Sequence, residues 1–333
     1  MHSSAETMTP FQTIRQTLAL DLVRLNDRIA EVLDSPNALM NSVVQHYLTT
    51  KGKQIRPILV LLSARTLGAV NDHVISGAVA VELLHNASLI HDDVVDDTLV
   101  RRGNPTINGV WDNHLAVLVG DFFLSTALRQ GVSTGDIRIL RSLSDLGRLL
   151  SIGELDEMYT ARTNDLSEDA YFQIIFRKTA SLFMSCVEIG AYAVGIDAGD
   201  PRLEALREYA RLLGLCFQIR DDIFDYFSDE KIGKPTGNDL REGKITLPLL
   251  HVLRDPSLPD HDAMTALARK EHLTTDEINT LITYAVDHGG IDYAYSVMAD
   301  MRRRAISLLE PLPDTPEKRA FISLISYIID REH

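Results

Sequence analysis

Cysteine is scarce in this chain of 333 residues, which has two, Cys186 and Cys216. Both stand in apolar surroundings and form no Cys-x-x-Cys pair, so the sequence indicates neither a disulfide framework nor a zinc site. We expect two buried thiols in a protein of the reducing cytoplasm.

Basic residues are fewer than acidic ones. There are 33 Lys and Arg against 47 Asp and Glu, which gives a formal net charge of −14. Such a chain does not bind nucleic acid or an anionic membrane surface non-specifically, so we expect no nucleic-acid partner. An anionic ligand would need metal ions or a local basic patch.

Long apolar runs are missing as well. A bilayer-spanning helix needs about 18 consecutive apolar residues, and runs such as residues 58–62 stop far short of that length. The first residues lack a charged start followed by an apolar stretch, so we read no export signal. These patterns predict a soluble cytoplasmic protein without a transmembrane segment.

Strand-like alternation is hard to find, whereas apolar residues recur at helical spacing along most of the chain. The pattern predicts a nearly all-α fold. Residues 167–195 are apolar on more than one face, which is typical of a helix buried inside a bundle, and no linker divides the chain. We therefore expect a single domain over residues 1–333. The predicted helices cover residues 10–33, 56–67, 73–96, 113–130, 137–162, 167–195, 201–227 and 247–253, with further helices beyond.

Two loops, residues 98–111 and 228–246, interrupt the helical pattern, and each follows an aspartate cluster at the end of a predicted helix. Both clusters read DDxxD. Carboxylates four residues apart project from one side of a helix, repel each other and oppose the helix dipole, a cost that Mg²⁺ would offset. The sequence therefore predicts metal ligands, namely Asp92, Asp93, Asp96, Asp221, Asp222 and Asp225.

Below the carboxylates, both helices become small or apolar. His85 and Ser88 precede the first cluster on one stripe, and Gly214 and Gln218 precede the second. If the two helices face each other, they enclose an apolar slot beneath a charged mouth. Such a slot suits a ligand with a charged head and a hydrocarbon tail.

Basic residues near these clusters are candidates for binding phosphate oxygens. Lys178 stands out because it lies in an apolar helix, where an unpaired ammonium group is costly, so we expect it to have a partner. The candidates are Lys51, Lys53, Arg56, Arg101, Arg102, Lys178, Lys234 and Lys244.

Several motifs between residues 51 and 250 resemble those of the trans-type polyprenyl diphosphate synthases, in particular the long-chain, octaprenyl- or decaprenyl-like branch. They are KGKQIRP, LLHNASLIHDDVVDDTLVRRGNPT, RKTA, GLCFQIRDDIFDY and GKPTGNDLREGKITLP, in the family's order. Terpene cyclases usually pair one DDxxD with an Asn/Ser/Glu motif, so the second DDxxD favours chain elongation. One departure is KGKQIRP, where the family often has GGKRxRP.

The resemblance implies an all-helical bundle around a central cavity, commonly a homodimer. The implied reaction is a head-to-tail condensation of isopentenyl diphosphate onto geranyl or farnesyl diphosphate, with Mg²⁺, three ions per active site, and a product that partitions to the membrane. The implied residues by role are Asp92, Asp93, Asp96, Asp221, Asp222 and Asp225 for metal, with Asp239 as support; Arg101, Lys178, Lys234 and Lys244 for the allylic diphosphate; Lys53, Arg56, His85 and Arg102 for isopentenyl diphosphate; and Lys178, Thr179 and Gln218 at the reacting carbons.

In this family, the residues five and four positions before the first Asp form a floor for the growing chain. Here they are Ala87 and Ser88, both small, which predicts a product beyond farnesyl, about C35 to C50. If a side chain of another helix, such as Phe123 or Leu143, blocks the slot, the product is shorter, as in a farnesyl or geranylgeranyl diphosphate synthase.

Two other classes compete with the synthase. His91-Asp92 matches the doublet of HD-type metal phosphohydrolases, which need further ligands and leave the second DDxxD unexplained; we expect His91 to be a packed neighbour. A non-catalytic partner subunit would be expected to have lost the aspartates.

Overall fold

The computed structural model describes residues 8–49, 52–101, 103–163, 165–227 and 236–331. Across these residues the chain is helical, apart from a two-residue antiparallel pairing of β1 (Val100–Arg101) with β2 (Asn104–Pro105). The predicted all-α fold is confirmed. The chain divides into two compact units, and the prediction of a single domain stays a prediction. Unit 1 comprises Met1–Gly147, Phe183–Arg207 and Pro311–Leu324, and unit 2 comprises Arg148–Leu182, Glu208–Glu310 and Ile325–His333.

The helices follow the chain order. Unit 1 contains α1 (Pro10–Thr17), α2 (Ala19–Leu33), α3 (Ala38–Thr49), α4 (Ile55–Leu67), α5 (Asp72–Val95), α6 (Ile107–Val110) and α7 (Asn113–Ser133). Helices with residues in both units are α8 (Ile137–Thr163), α10 (Ser181–Ala193), α11 (Pro201–Phe224) and α17 (Pro316–Asp330). Unit 2 contains α9 (Glu168–Ile175), a π-helical segment (Phe176–Ala180), α12 (Asn238–Arg241), α13 (Leu247–Leu253), α14 (His261–Ala268), α15 (Thr275–Asp287) and α16 (Gly290–Leu309).

Helix α5 is the central helix of unit 1 and packs against α2, α4 and α7. It begins where the side chain of Asn71 accepts a hydrogen bond from the backbone N–H of Val74 at 2.9 Å, an N-cap that satisfies one of the free amides of the first turn. It ends at Val95, within the first DDxxD motif. Most of its side chains are buried, so the hydrophobic effect fixes its orientation and with it the position of the motif.

Helices α5 and α7 are each long and apolar enough to cross a bilayer by length and composition alone. Within the protein, 72% of the apolar window of α5 and 44% of that of α7 are buried. Core helices of soluble proteins meet the same criteria, and the burial of α5 is typical of one.

The predicted helix over residues 167–195 is α9, the π-helical segment and α10 in succession. Two glycines let neighbouring helices approach the π-helical segment closely: a Cβ on Gly153 of α8 would lie 2.9 Å from Cβ of Arg177, and one on Gly214 of α11 would lie 2.5 Å from Cα of Ala180. A π-helical turn inserts one extra residue and redirects the side chains that follow, and such turns are frequent at functional sites.

Three other details differ from the sequence expectation. The predicted helix over residues 10–33 is divided at Leu18, whose ψ of 10° leaves the helical range. Helix α3 was not predicted, and the loop of residues 98–111 contains β1, β2 and α6.

Both cysteines are buried, as predicted, and burial raises the pKa of Cys216 to about 12.

Candidate active site

The first DDxxD motif lies at the C-terminal end of α5, as predicted. Asp92 is half-buried, Asp93 is buried, and Asp96 follows the helix and is exposed. Arg101 of β1 donates to Oδ1 of Asp93 from Nε at 2.8 Å, and its Nη2 lies 2.7 Å from the same oxygen. Burial raises the pKa of Asp93, although the charge and hydrogen bond of Arg101 act against the rise. Arg101, predicted to bind the allylic diphosphate, is thus held at an aspartate of the motif.

His91 packs against α7, which confirms the expectation of a packed neighbour. Its Nε2 lies 3.3 Å from the carbonyl oxygen of Val117 and 3.6 Å from Oδ1 of Asp121. A Cβ on Gly120 would lie 2.2 Å from this nitrogen, so any other residue there would displace the imidazole from this position.

The residues predicted to bind isopentenyl diphosphate also belong to unit 1. Lys53 is exposed, and Arg56 and His85 are half-buried. Gln54, where the family motif often has Arg, adopts a left-handed backbone with φ of 57° immediately before α4 and donates to Asn26 at 3.0 Å. Arg102 and Lys51 lie outside the described residues.

The two predicted chain-length residues lie on α5. Ala87 is buried, and Ser88 is half-buried with its hydroxyl donating to the carbonyl of His85 at 2.9 Å. The two alternative blocking residues, Phe123 and Leu143, are buried in the same unit. Their roles in product length stay predictions.

Asp222 of the second motif is the acceptor at the end of a buried hydrogen-bond chain. Its Oδ2 accepts from the Tyr171 hydroxyl at 2.6 Å and its Oδ1 from the Gln218 amide at 2.8 Å, while the Thr179 hydroxyl donates to the Gln218 carbonyl at 2.7 Å. Burial raises the pKa of Asp222 to about 7. The structure brings the predicted residues Thr179 and Gln218 together, and adds Tyr171, which no motif indicated.

Asp225 and Asp239 supply the observation that fits a cation. Oδ2 of Asp225 accepts from the backbone N–H of Asp239 at 2.9 Å, but its Oδ1 is buried and has no hydrogen-bond partner among the residues that the structure describes. Burial, together with the charges of Asp222 and Asp225, raises the pKa of Asp239 well above its usual value. Surplus buried carboxylates of this kind fit a hard divalent cation such as Mg²⁺. Within the described parts of the chain, no three Asp, Glu, His or Cys side chains already form a metal-binding group.

Asp221 contacts Arg331, which follows α17 and which no sequence motif indicated. The Arg331 guanidinium donates to Oδ1 of Asp221 and lies 4.6 Å from the ring centroid of Phe217. The Arg331 carbonyl in turn accepts from Arg220 at 2.6 Å. An aspartate of each motif is therefore bound to an arginine, Asp93 to Arg101 and Asp221 to Arg331.

Lys178, in the π-helical segment, has the partner that its burial predicted. Its ammonium nitrogen lies 2.7 Å from a carboxylate oxygen of Glu154 and 2.7 Å from one of Glu157, both on α8. Lys244 lies 3.0 Å from Glu157 and 2.7 Å from Glu242. Sequence reasoning found both lysines but missed the glutamates, and Lys234 lies outside the described residues.

Several of these groups, among them Glu157 and Asp239, line a cavity of about 190 Å³ within unit 2. Its polar side includes Lys178, Lys244 and Asp222, and its apolar side includes Ile174 and Leu250. A cavity with cations and carboxylates on one side and aliphatic side chains on the other suits a ligand that is both anionic and apolar.

The chain is similar to known proteins along almost its whole length. The family model for polyprenyl synthetase matches residues 37–285. The chain is 36% identical, over 96% of its own length and 98% of the relative's, to the all-trans-nonaprenyl-diphosphate synthase (geranyl-diphosphate specific) of Rhodobacter capsulatus.

Solved structures give the same result. A decaprenyl diphosphate synthase from Rhodobacter capsulatus superposes with a TM-score of 0.89 at 31% identity, over 96% of this chain and 98% of that one. A geranylgeranyl pyrophosphate synthase from Bacteroides thetaiotaomicron superposes with a TM-score of 0.82 at 36% identity, over 97% and 99%. The fold is that of the isoprenoid synthases, and the chain belongs to the polyprenyl synthetase family.

Proposed function

We propose that the chain is a Mg²⁺-dependent prenyltransferase, acting as one domain over residues 1–333. It condenses isopentenyl diphosphate head-to-tail onto geranyl or farnesyl diphosphate and releases an all-trans polyprenyl diphosphate of about C35 to C50. The observation that carries this proposal is the cavity in unit 2, where two lysines and buried carboxylates meet aliphatic side chains. Membership of the polyprenyl synthetase family supports the same reaction.

The leaving group is the allylic diphosphate. Lys178 and Lys244 hold its oxygens, joined by Lys234 and Arg101, and their charges stabilise the negative charge that grows as the carbon–oxygen bond breaks. The aspartates of each DDxxD motif, with Asp239 as support, would hold Mg²⁺, for which we propose three ions per active site. The bound metal supplies further positive charge to the departing diphosphate.

The allylic carbon becomes cationic as diphosphate leaves. We propose that the backbone carbonyl of Lys178, the Thr179 hydroxyl and the Gln218 amide face it. The hydrogen bonds from Thr179 to Gln218 and from Gln218 to Asp222 fix these dipoles, and none of them is a strong nucleophile. Lys53, Arg56, His85 and Arg102 hold isopentenyl diphosphate, whose double bond attacks the cation before a proton passes to the departed diphosphate.

Product length separates two candidate functions. The small side chains of Ala87 and Ser88 and the nonaprenyl- and decaprenyl-forming relatives favour a long chain. The geranylgeranyl pyrophosphate synthase of Bacteroides thetaiotaomicron, at 36% identity, favours the shorter alternative.

Incubation of the purified chain with labelled isopentenyl diphosphate, farnesyl diphosphate and Mg²⁺ tests the proposal. Label in butanol-extractable lipid supports the synthase, and reverse-phase chromatography of that lipid gives the length. Phosphate release alone means a phosphohydrolase, and absence of any reaction means a non-catalytic subunit.

We further propose a cytoplasmic homodimer whose product partitions to the membrane. Leu118, Leu128 and Val132 are exposed apolar side chains on α7, which a second copy of the chain would cover. Light scattering coupled to size exclusion should give twice the mass of one 37.1 kDa chain.

A further inference from the structure

Five charged side chains of unit 2 form a row of alternating sign. In order they are Glu154, Lys178, Glu157, Lys244 and Glu242, with successive nitrogen–oxygen distances of 2.7, 2.7, 3.0 and 2.7 Å. Glu157 is at the centre, where its single oxygen Oε2 contacts both ammonium groups. Glu157 and the two lysines line the cavity.

Glu157 and both lysines are charged at neutral pH. Burial by itself raises the pKa of Glu157, but the charges of Lys178 and Lys244 outweigh it and bring the pKa below its usual value. Burial by itself lowers the pKa of each lysine. The neighbouring glutamate carboxylates outweigh this effect and raise the pKa of both lysines above its usual value.

The net charge of these side chains disfavours the binding of an anion alone. Three carboxylates, those of Glu154, Glu157 and Glu242, face two ammonium groups, so negative charge exceeds positive charge by one among these five side chains. A diphosphate entering alone would meet lysines that are already neutralised and carboxylates that repel it. The lysines attract it only when a further cation offsets the carboxylates.

We propose that Glu157 is a positioning residue, one of whose oxygens holds the ammonium groups of Lys178 and Lys244 side by side. As the counter-anion of these two lysines, it also restricts diphosphate binding to the metal-loaded cavity. An ammonium group has three N–H donors. Each lysine directs two of its N–H donors to carboxylates, so the third can bind a diphosphate oxygen. The inference rests on the proposed function, because that function supplies the diphosphate.

Calorimetric titration of the full chain with inorganic pyrophosphate, in Mg²⁺ and in EDTA, tests this inference. We expect the unmodified protein to bind pyrophosphate only with Mg²⁺. In EDTA, Glu157→Gln should bind it at least about 10-fold more tightly than the unmodified protein, since one negative charge between the lysines is gone. Glu154→Gln and Glu242→Gln should gain less, because each glutamate contacts one of the two lysines and Glu242 is 53% exposed.

Glu277→Gln is the matched control. It removes the same charge from an ion pair with Lys270 at 2.7 Å, and neither residue lines the cavity. It should titrate like the unmodified protein under both conditions. Glu157→Asp keeps the charge but has a shorter side chain, so it should retain the metal requirement while the KM for the allylic diphosphate rises about 10-fold and kcat changes less.

Three results would overturn the inference: equal metal-free affinity in Glu157→Gln and Glu277→Gln, equally tight binding by the unmodified protein in EDTA and in Mg²⁺, or no binding with Mg²⁺. The second and third need no variant and so stand even if Glu157→Gln does not fold. Failure of the proposed function looks different. If the pyrophosphate titrations give the expected results but the protein transfers no prenyl group, the proposed function is rejected and the role of Glu157 is kept. If prenyl transfer is normal but metal-free binding is unchanged in Glu157→Gln, the role of Glu157 is rejected and the proposed function is kept.

Discussion

The Tyr171 hydroxyl donates to Oδ2 of Asp222 at 2.6 Å, and both side chains are buried. A hydrogen bond to a buried carboxylate stabilises its charged form, and one to a charged group is worth about 1.5–3 kcal/mol. Tyr171→Phe should therefore lower the free energy of unfolding by roughly that amount and raise the pKa of Asp222 further. Urea unfolding at a pH well above 7, where Asp222 with its pKa of about 7 is charged, measures the first effect. Tyr159→Phe, at a 68% exposed position on α8, is the control, and an equal effect of both variants would contradict the assignment.

The proposed metal ligands predict a loss of turnover without a loss of fold. Asp225→Asn and Asp92→Asn each remove a carboxylate charge from one motif, so we expect turnover to fall by about 100-fold or more. Circular dichroism should show unchanged helix content. Asp145→Asn, at an exposed position on α8, should keep normal turnover. Normal activity in both motif variants would refute the metal assignment.

Product length should respond to side-chain volume at Ser88. A phenylalanine there raises the floor beneath the growing chain, so reverse-phase chromatography of the Ser88→Phe products should show a shorter ladder. Ala87→Phe should act in the same direction but also overpack a buried position, at a cost of about 1–3 kcal/mol in stability. Ser88→Ala removes only the hydroxyl and should leave the ladder as it is. An unchanged ladder in both phenylalanine variants would move the floor to another helix.

The low pKa of Glu157 predicts a contribution to acid stability. Because its folded pKa lies below its ordinary value of 4.5, its stabilising effect is complete above that value and is lost as pH falls through the folded pKa. Between about pH 5 and 3, the free energy of unfolding should fall less steeply in Glu157→Gln, by at most about 1.4 kcal/mol per pH unit. Parallel stability curves for the two proteins would exclude this contribution.

The periodicity of apolar residues in the sequence predicted the bounds of helices whose side chains are mostly buried. Helix α5 was predicted over residues 73–96 and is Asp72–Val95, and α13 was predicted at its observed bounds. Both are rich in buried side chains, so the sequence pattern and the packing agree. The π-helical segment was not predictable in this way, because an extra residue in one turn leaves no trace in a segment that is apolar on several faces.

Some residues of the candidate site could be predicted from the sequence, and others could not. Lys178 was identified because a lysine in an apolar helix needs a partner, and the contacts with Glu154 and Glu157 confirm that reasoning. Tyr171 and Arg331 were missed because each reaches its aspartate only through tertiary packing, from 51 and 110 positions away in the chain. Distance in sequence hides such partners, since a tyrosine or an arginine is an ordinary residue until its neighbour is known.

Gly153 couples the packing of α8 to the position of Lys178, a proposed ligand of the allylic diphosphate. A Cβ there would lie 2.8 Å from Cγ of Lys178 and 2.9 Å from Cβ of Arg177, so alanine must push α8 away from the π-helical segment. We expect Gly153→Ala to move Lys178 off its carboxylates and to raise the KM for the allylic diphosphate by about 10-fold or more. Its stability should fall even though alanine favours helix.

Gly147 on the same helix provides the matched comparison. Among the described residues, a Cβ there would meet no atom within 4 Å, so Gly147→Ala should keep the KM and gain up to about 1 kcal/mol of stability from helix propensity. Steady-state kinetics and urea unfolding on the two variants separate close packing from propensity, because both make the same chemical change in one helix. If Gly153→Ala matched Gly147→Ala in both measurements, the close approach of α8 would have no part in holding Lys178.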